Sequence, residues 1–553
     1  MTNFFSKKVL FIEITVPCSV LFFLRPCQKI KCSFFFLLYI LFFSVEAFSQ
    51  YEGIKINKRL LLKEANEKLE RGDYSEALKD YYSLYSVDSI SGLLNFKIGV
   101  CVYSLGGNDI AATPYFKKAV DDGYKEALFW YGKCLHLQMK FDEALENYKL
   151  FKNSPNASES QLLETDRYIR FSETAKTITQ DTVTTFIEPL GPPINSNYPE
   201  YVPLIAADQS FLIFTSQRPL KEEEERLTNG KYSEDVFISF LKDGKYGVPE
   251  RMEYGINTLG NDAGAGISAD GNTLIIFRSD SGSKNGNLFK TLRQGNGWTK
   301  PEILSAEINS PFLETSACPG ADGSVLYFSS NRPGGFGGLD IYKTILMGNG
   351  EWSLPLNLGP EINTIYDDDS PFIHPDGKTL YFSSKGHLNM GGFDVFSSQL
   401  SEKNSWSEAV NLGYPLNSVN NDMFFILSAD GKTGFYSTDR GQGTGQDIYK
   451  MRLTGQEKKL IIIKGKVMED DSLGLPLAST ITLLNEDFRN TTGIFHSNSA
   501  SGKFLIAAEA GKKYFLLVNA SSEYDFFTGQ IDLSGNEIQG EIYREIKVKK
   551  TKK

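Results

Sequence analysis

One repeat governs what this chain can fold into. At intervals of 52 to 62 residues the same string returns five times. It runs as an Ile/Leu-Asn pair, an acidic residue, an Asp-Gly type of turn, an aromatic β-prone run, a Gly-rich loop and Asp-Ile-Tyr. The pair falls at Ile194-Asn195, Ile256-Asn257, Ile308-Asn309, Ile362-Asn363 and Leu416-Asn417. The turn Asp follows in constant register at Asp208, Asp270, Asp322, Asp376 and Asp430. A β repeat of this length is one blade of a propeller. Such a ring offers rims and a channel, so binding or scaffolding is expected before catalysis.

Alternating apolar and polar residues divide each repeat into four strands. In the third repeat they read Glu314–Pro319, Val325–Ser330, Asp340–Ile345 and Trp352–Leu358. The second strands of the other repeats read Phe211–Ser216, Leu274–Ser279, Leu380–Ser384 and Gly434–Thr438. The last repeat has a third strand at Asp447–Leu453 but no fourth, whereas residues 182–190 read as a fourth strand with no first three. That segment is therefore expected to complete the last blade. It would close a five-bladed propeller over 182–454 and remove two sheet edges.

Two sets of charges share this register. Glu200, Asp262, Glu314, Asp368 and Asp422 each lie eight residues before the turn Asp. Arg218, Arg278, Arg332, Lys385 and Arg440 come at or just after the second strand. A carboxylate ring near the channel mouth could bind a cation or a basic peptide. Buried charges are normally paired, however, and the counts match, so ion pairs within or between blades are the reading expected first. The loop Gly334-Gly335-Phe336-Gly337-Gly338 is a hairpin rather than a phosphate cradle, because no helix follows it. Glu222 to Glu225 read as a solvated charge run.

Residues 55–155 carry a second periodicity, with a step of 33 to 34 residues. Ala65, Gly99 and Gly132 share one position; Ala77, Ala111 and Ala144 share another; Tyr81, Tyr115 and Tyr148 share a third. Small residues let paired helices approach, and the Tyr fills the seam to the next pair. A further helix near 159–176, within a segment 156–180, reads as a polar cap. Residues 458–548 return to short β stretches and are followed by a basic tail, 549–553.

Residues 1–49 are not part of the fold. Lys29 to Lys31, the apolar run 34–45 and Ala47-Phe-Ser49 have the layout of a secretory signal, with cleavage expected after Ser49. A translation start nearer Lys29 is the preferred reading, and an N-terminal anchor is the alternative. This leader carries five basic and two acidic residues, so its loss takes the net charge from −10 to −13. An acidic chain without a basic stripe argues against nucleic-acid partners. No apolar run after Gln50 is long enough to span a bilayer. Cys101, Cys134 and Cys318 remain, an odd number that gives no disulfide framework; Cys101 and Cys134 read as buried thiols.

The helical segment resembles the tetratricopeptide repeat, although Leu61, Asn95 and Leu128 stand where that motif often has Trp. The string Tyr327-Phe-Ser-Ser-Asn-Arg-Pro-Gly-Gly-Phe-Gly-Gly-Leu-Asp-Ile-Tyr342 resembles the PD40 propeller repeat, a WD40-like unit also found in TolB-type periplasmic proteins. Lys464-Gly-Lys-Val467, Pro476-Leu477, Gly502-Lys-Phe504 and Gly511-Lys-Lys-Tyr514 resemble the carboxypeptidase regulatory-like domain, which implies a transthyretin-like β-sandwich. In this order the three segments are similar to Bacteroidota envelope proteins, among them an OmpA-family accessory component of the type IX secretion system. The resemblance implies a periplasmic scaffold associated with the outer membrane. Its partners would be outer-membrane or periplasmic proteins of a secretion or gliding assembly. The OmpA-like domain has no counterpart in this sequence, so peptidoglycan binding is not carried over.

Only four His occur, His136, His374, His387 and His496. No HExxH, no G-x-S-x-G and no Cys/His cluster is present. No catalytic residue, metal or cofactor is expected. A peptide- or glycan-binding module at the channel mouth is the alternative function, and a hydrolase using His374 or His387 is a more remote one.

Overall fold

The computed structural model describes residues 58–551, except 87–88, 90, 107–108, 155–156, 184, 207–208, 220–231, 254, 280–284, 296, 321–322, 348, 402, 442–444, 454–459, 472, 489–490, 499–500 and 536–540. The proposed leader, Asp208, Asp322 and the 222–225 charge run lie outside the described residues. Residues 1–72 and 73–553 form separate compact units. Within the first, helix α1 spans Lys58–Glu70.

The second unit opens with six helices: α2 (Tyr74–Tyr85), α3 (Gly92–Gly106), α4 (Asp109–Asp121), α5 (Ala127–Leu137), α6 (Phe141–Lys152) and α7 (Glu159–Ile178). They pack in sequence, and two pairs, α3 with α4 and α5 with α6, meet across a residue with no room for a side chain. A Cβ on Gly99 would lie 2.7 Å from the Phe116 ring, and one on Gly132 would lie 2.5 Å from the Tyr148 ring. The second hairpin departs from the expected register. Ala112 and Phe116 are buried there, whereas Ala111 is exposed and Tyr115 half-exposed. From Gly99 to Phe116 is 17 residues, but from Gly132 to Tyr148 is 16. One extra residue before α4 rotates its apolar face by about 100°, one residue of a 3.6-residue turn. The final helix starts at a capping box, with Ser158 accepting from the Gln161 amide and the Gln161 side chain returning to the Ser158 N–H.

A β-rich region follows. Between Thr185 and Leu453 lie five antiparallel sheets of four or five strands. Their inner strands are Glu200–Ile205, Asn261–Ile267, Glu314–Pro319, Asp368–Ile373 and Asp422–Leu427. Each inner strand touches that of the next sheet, and the fifth touches the first. The fifth sheet takes its outer strand from the start of the region. Thr185–Pro189 runs antiparallel to Asp447–Leu453, with Thr185 opposite Leu453 and Pro189 opposite Tyr449.

The outer strand of the third sheet is shorter than the sequence suggests, and that of the fourth sheet is split in the same way at Trp406 and Val410–Asn411. Trp352–Leu358 resolves into a bridge at Trp352 and the pair Leu356–Asn357. Pro249, Pro301 and Pro355 interrupt the outer segments of the first three sheets. A proline has no N–H to give to a ladder, and the outermost strand is where it is tolerated.

Residues 460–548 form two further sheets of three and four strands around one shared apolar cluster that includes Ile463, Ile481, Phe495, Tyr514 and Val518. In the three-stranded sheet, Leu460–Glu469 lies antiparallel to Lys503–Glu509 and parallel to Glu541–Val548. No helix among the described residues is long and apolar enough to cross a membrane.

Candidate functional site

The Ile/Leu-Asn pair, noticed in the sequence for its periodicity alone, has a structural task. Each Asn side chain acts as a short piece of β-strand towards one residue of the preceding sheet. Asn363 Oδ1 accepts from the Ile341 N–H at 2.7 Å, while its Nδ2 donates to the Ile341 carbonyl at 3.0 Å. Asn257 does the same to Val236, Asn309 to Leu288 and Asn417 to Val395. Asn195 reaches the last sheet, pairing with both backbone groups of Ile448 at 3.0 Å. The same side chain thus joins successive sheets and ties the first repeat to the fifth. An amide is the group that can both accept from and donate to one residue's backbone.

The acids and cations of the second register also meet, in a repeated latch. All five acids are fully buried at the start of an inner strand. In the third sheet, Glu314 Oε1 accepts from Ser310 Oγ at 2.6 Å, Ser330 Oγ at 2.7 Å and Arg332 Nη2 at 3.1 Å. Arg332 Nη2 also donates to the Ile308 carbonyl at 2.6 Å. Glu200 with Arg218, and Asp422 with Arg440, repeat this arrangement against the Ile194 and Leu416 carbonyls. In the second sheet Arg278 stands directly opposite Asp262, donating to it at 2.5 Å and to the Ile256 carbonyl at 2.9 Å. These bonds engage the acids with protein donors. Two small cavities, of about 30 and 10 Å³, are lined by inner strands from all five sheets; Val202, Leu204, Ala265, Cys318 and Phe424 are among the residues around the first, and neither is lined by any of the five acids.

The fourth sheet departs from the pattern, and one sequence expectation needs correcting. Lys385 does not pair with Asp368; its Nζ lies 2.7 Å from Asp367 Oδ2. The reason is register. Ser330 and Ser384 sit opposite the acids of their sheets, and Arg332 is two residues beyond Ser330. Two residues beyond Ser384 is Gly386, not Lys385. A Cβ on Gly386 would lie 2.0 Å from Thr364 Oγ1, so no side chain fits there without displacing Thr364. His387 takes over half of the missing arginine's work: its Nε2 donates to the Ile362 carbonyl at 2.9 Å.

Asp368 is left with neutral donors. Its Oδ2 accepts from the Thr364 N–H at 2.5 Å and from Thr364 Oγ1 at 3.0 Å, while Oδ1 accepts no hydrogen bond of regular geometry. Burial pushes this carboxyl up to about 7 against the lowering effect of the Ser384 and Thr364 donors, and the Asp340 carboxylate adds to the rise. Burial lowers the imidazole of His387.

The same altered sheet is where the helices attach. His136 on α5 is 1 % exposed. Its Nε2 lies 3.0 Å from the Met390 carbonyl, which can only accept, so the proton sits on Nε2 and Ser172 Oγ donates to Nδ1 at 2.8 Å. Burial lowers this imidazole to about 4, partly opposed by the Met390 bond. Arg167 on α7 donates to the Lys385 carbonyl at 3.2 Å and lies 4.4 Å from the centre of the Tyr366 ring. Burial works against ionisation of Asp367, but Lys385, with help from Arg167, holds its carboxyl below the usual range. Phe141 and Ala175 complete the seam against Met390 and Val419. Nothing in the single sequence marks this interface.

His136, His374 and His387 are committed to structural contacts. His374 is fully buried, 3.3 Å from Asp376 and 3.3 Å from the Ser428 carbonyl. His136 has a serine neighbour, but Ser172 is itself fully buried and the other imidazole nitrogen faces a carbonyl. Cys101, Cys134 and Cys318 are buried free thiols, and burial raises Cys101 to about 11 and Cys318 to about 12. Among the described residues no group of three or more His, Cys, Asp or Glu is placed to hold a metal ion.

The chain matches no protein-family model and no curated protein. Solved structures similar to its parts include the TPR domain of P58(IPK), at 20 % identity with a TM-score of 0.21 over 22 % of this chain and 34 % of that one. A second is the Yersinia enterocolitica type III secretion chaperone SycD in complex with a peptide of the translocator YopD. It is 19 % identical with a TM-score of 0.20, over 21 % of this chain and 93 % of that one. A third, over 46 % of this chain and 94 % of the other, is an endo-arabinase from Bacteroides thetaiotaomicron, at 13 % identity and a TM-score of 0.32. The chain thus spans about a third of the first of these.

Proposed function

We propose that this chain is a non-enzymatic scaffold acting outside the cytoplasm. In this reading it consists of a tetratricopeptide array, a five-bladed propeller closed by residues 182–190, and a regulatory-like β-sandwich. Its partners are outer-membrane or periplasmic proteins of a type IX secretion or gliding-related assembly, as the order of segments in the sequence implies. The observation that carries the scaffold reading is the use to which the polar residues are put. Buried Asn, Glu, Asp, Arg and His side chains join sheet to sheet and helix to sheet, and the acids and arginines of the repeat are taken up by these joins. A helical array fixed to the ring through His136 and Arg167 presents its remaining faces in a constant orientation.

The test is purification of the tagged full chain from crosslinked cells, alongside a deletion strain. Enrichment of outer-membrane secretion or gliding components, with loss of secretion on deletion, is the expected result. Recovery of cytoplasmic partners alone with secretion intact would overturn the proposal.

A further inference from the structure

A cleft of about 710 Å³ opens between the second and third sheets of the ring and the C-terminal pair of sheets. That volume lies in the range of small-ligand sites, about 300–1,000 Å³. Its walls are held at a fixed distance. Asn272 Nδ2 donates to the His496 carbonyl at 3.0 Å, the His496 N–H donates to Asp270 Oδ2 at 3.3 Å, and Asn498 Nδ2 donates to the Gly295 carbonyl at 3.1 Å.

These bonds also decide what the cleft can recognise. Asp270 accepts from Ser268 Oγ and the Asn272 N–H as well as from His496, so the carboxylate of this wall is already occupied by its own contacts. A sugar would need such groups for its hydroxyls. What remains is of a different kind. Leu292 and Leu346, respectively 45 % and 39 % exposed, line the cleft beside the half-buried Trp352. Lys290 and Arg293 line it too, and among the described residues no ion pair ties the Lys290 ammonium to Glu302, its neighbour across the sheet. Ser479 lies against the same space, 6 % exposed, and its hydroxyl has no hydrogen-bond partner. An aliphatic and aromatic floor, an ammonium with a guanidinium beside it and one buried hydroxyl together suit a molecule with an apolar body and an anionic end.

We propose that this cleft binds an amphipathic carboxylate of the acyl type. The acyl body lies over Leu292, Leu346 and Trp352, and the carboxylate meets Lys290 and Ser479. The site is independent of the scaffold reading and does not use the latch residues.

Decanoate and the uncharged decanol serve as probes on the full chain, with binding read by calorimetry and by Trp fluorescence. Saturable binding of one decanoate is expected, with decanol at least about tenfold weaker. Lys290→Ala should weaken decanoate about tenfold and leave decanol unchanged, and Leu346→Asn should weaken both. Lys290 is half-exposed and Leu346 is at the surface, so both variants should fold. Absence of saturable decanoate binding, equal affinity for decanol, or unchanged binding by either variant would each overturn the proposal.

Discussion

The third and fourth sheets are built on the same repeat, yet they treat a buried carboxylate in opposite ways. Glu314 has a guanidinium, two hydroxyls and a backbone N–H. Asp368 has only neutral donors, Thr364 and Ser384, and its Oδ1 accepts no hydrogen bond of regular geometry. The difference goes back to one position, where Arg332 is replaced by Gly386. A charge in the interior is tolerable when a partner offsets its desolvation, and otherwise the group shifts towards its neutral form. The third sheet takes the first course and the fourth takes the second. The fourth sheet is also where α5 and α7 attach, so the loop that lost the arginine has become a docking surface.

The comparison can be broken most forcefully at Arg332. Arg332→Met leaves Glu314 buried without its cation and should destabilise the chain by about 3–5 kcal/mol, read by urea unfolding. Lys385→Met, one residue before the position that matches Arg332, should cost far less, because that ammonium serves the partly exposed Asp367. Asn363→Ala removes the partner of both Ile341 backbone groups and should cost about 2 kcal/mol, since a buried donor and acceptor are left unmet. Gly386→Ala should cost about 1–3 kcal/mol by overpacking, as the added carbon pushes Thr364 away from Asp368.

The smallest effect has a distinctive pH signature. The Asp368 carboxyl titrates at about 7 in the folded chain, against 3.8 for an unperturbed Asp. Between those values the folded chain keeps a proton that the unfolded chain has lost. The group therefore favours folding most at low pH, and this contribution disappears as pH rises through 7. Asp368→Asn should raise the melting temperature at pH 8 and give no gain at pH 4. His136 has the opposite slope. Its folded value of about 4 lies below the usual 6.5, so its stabilising share is present above 6.5 and falls away as pH drops towards 4. Melting curves of Asp368→Asn and His136→Gln across this range separate the two.

Much of this was legible because the repeat places like residues at like positions. The inner and second strands of the third repeat run over Glu314–Pro319 and Val325–Ser330, where the sequence places them, because the repeat fixes their register. The acids and arginines could be aligned for the same reason. The role of Asn195 and its equivalents was not legible, because an amide that mimics a strand looks the same in a sequence as an amide in a turn. The shift from Tyr115 to Phe116 was hidden by a single extra residue before α4. The docking of His136 on Met390 joins residues 254 apart in the chain, and one sequence without relatives holds no trace of such a pair.

The claim on which the rest depends is that Thr185–Pro189 completes the fifth sheet and so closes the ring. Phe186 and Arg452 are exposed and directly opposite one another across that pairing. Cys introduced at both positions lies within the Cα separation that a disulfide can span, about 4.4–6.8 Å. Mild oxidation of the native Phe186→Cys, Arg452→Cys protein should form this intramolecular bond almost completely and raise the melting temperature. If both thiols remain open to labelling while the rest of the chain is folded, the outer strand lies elsewhere and the closed ring is contradicted.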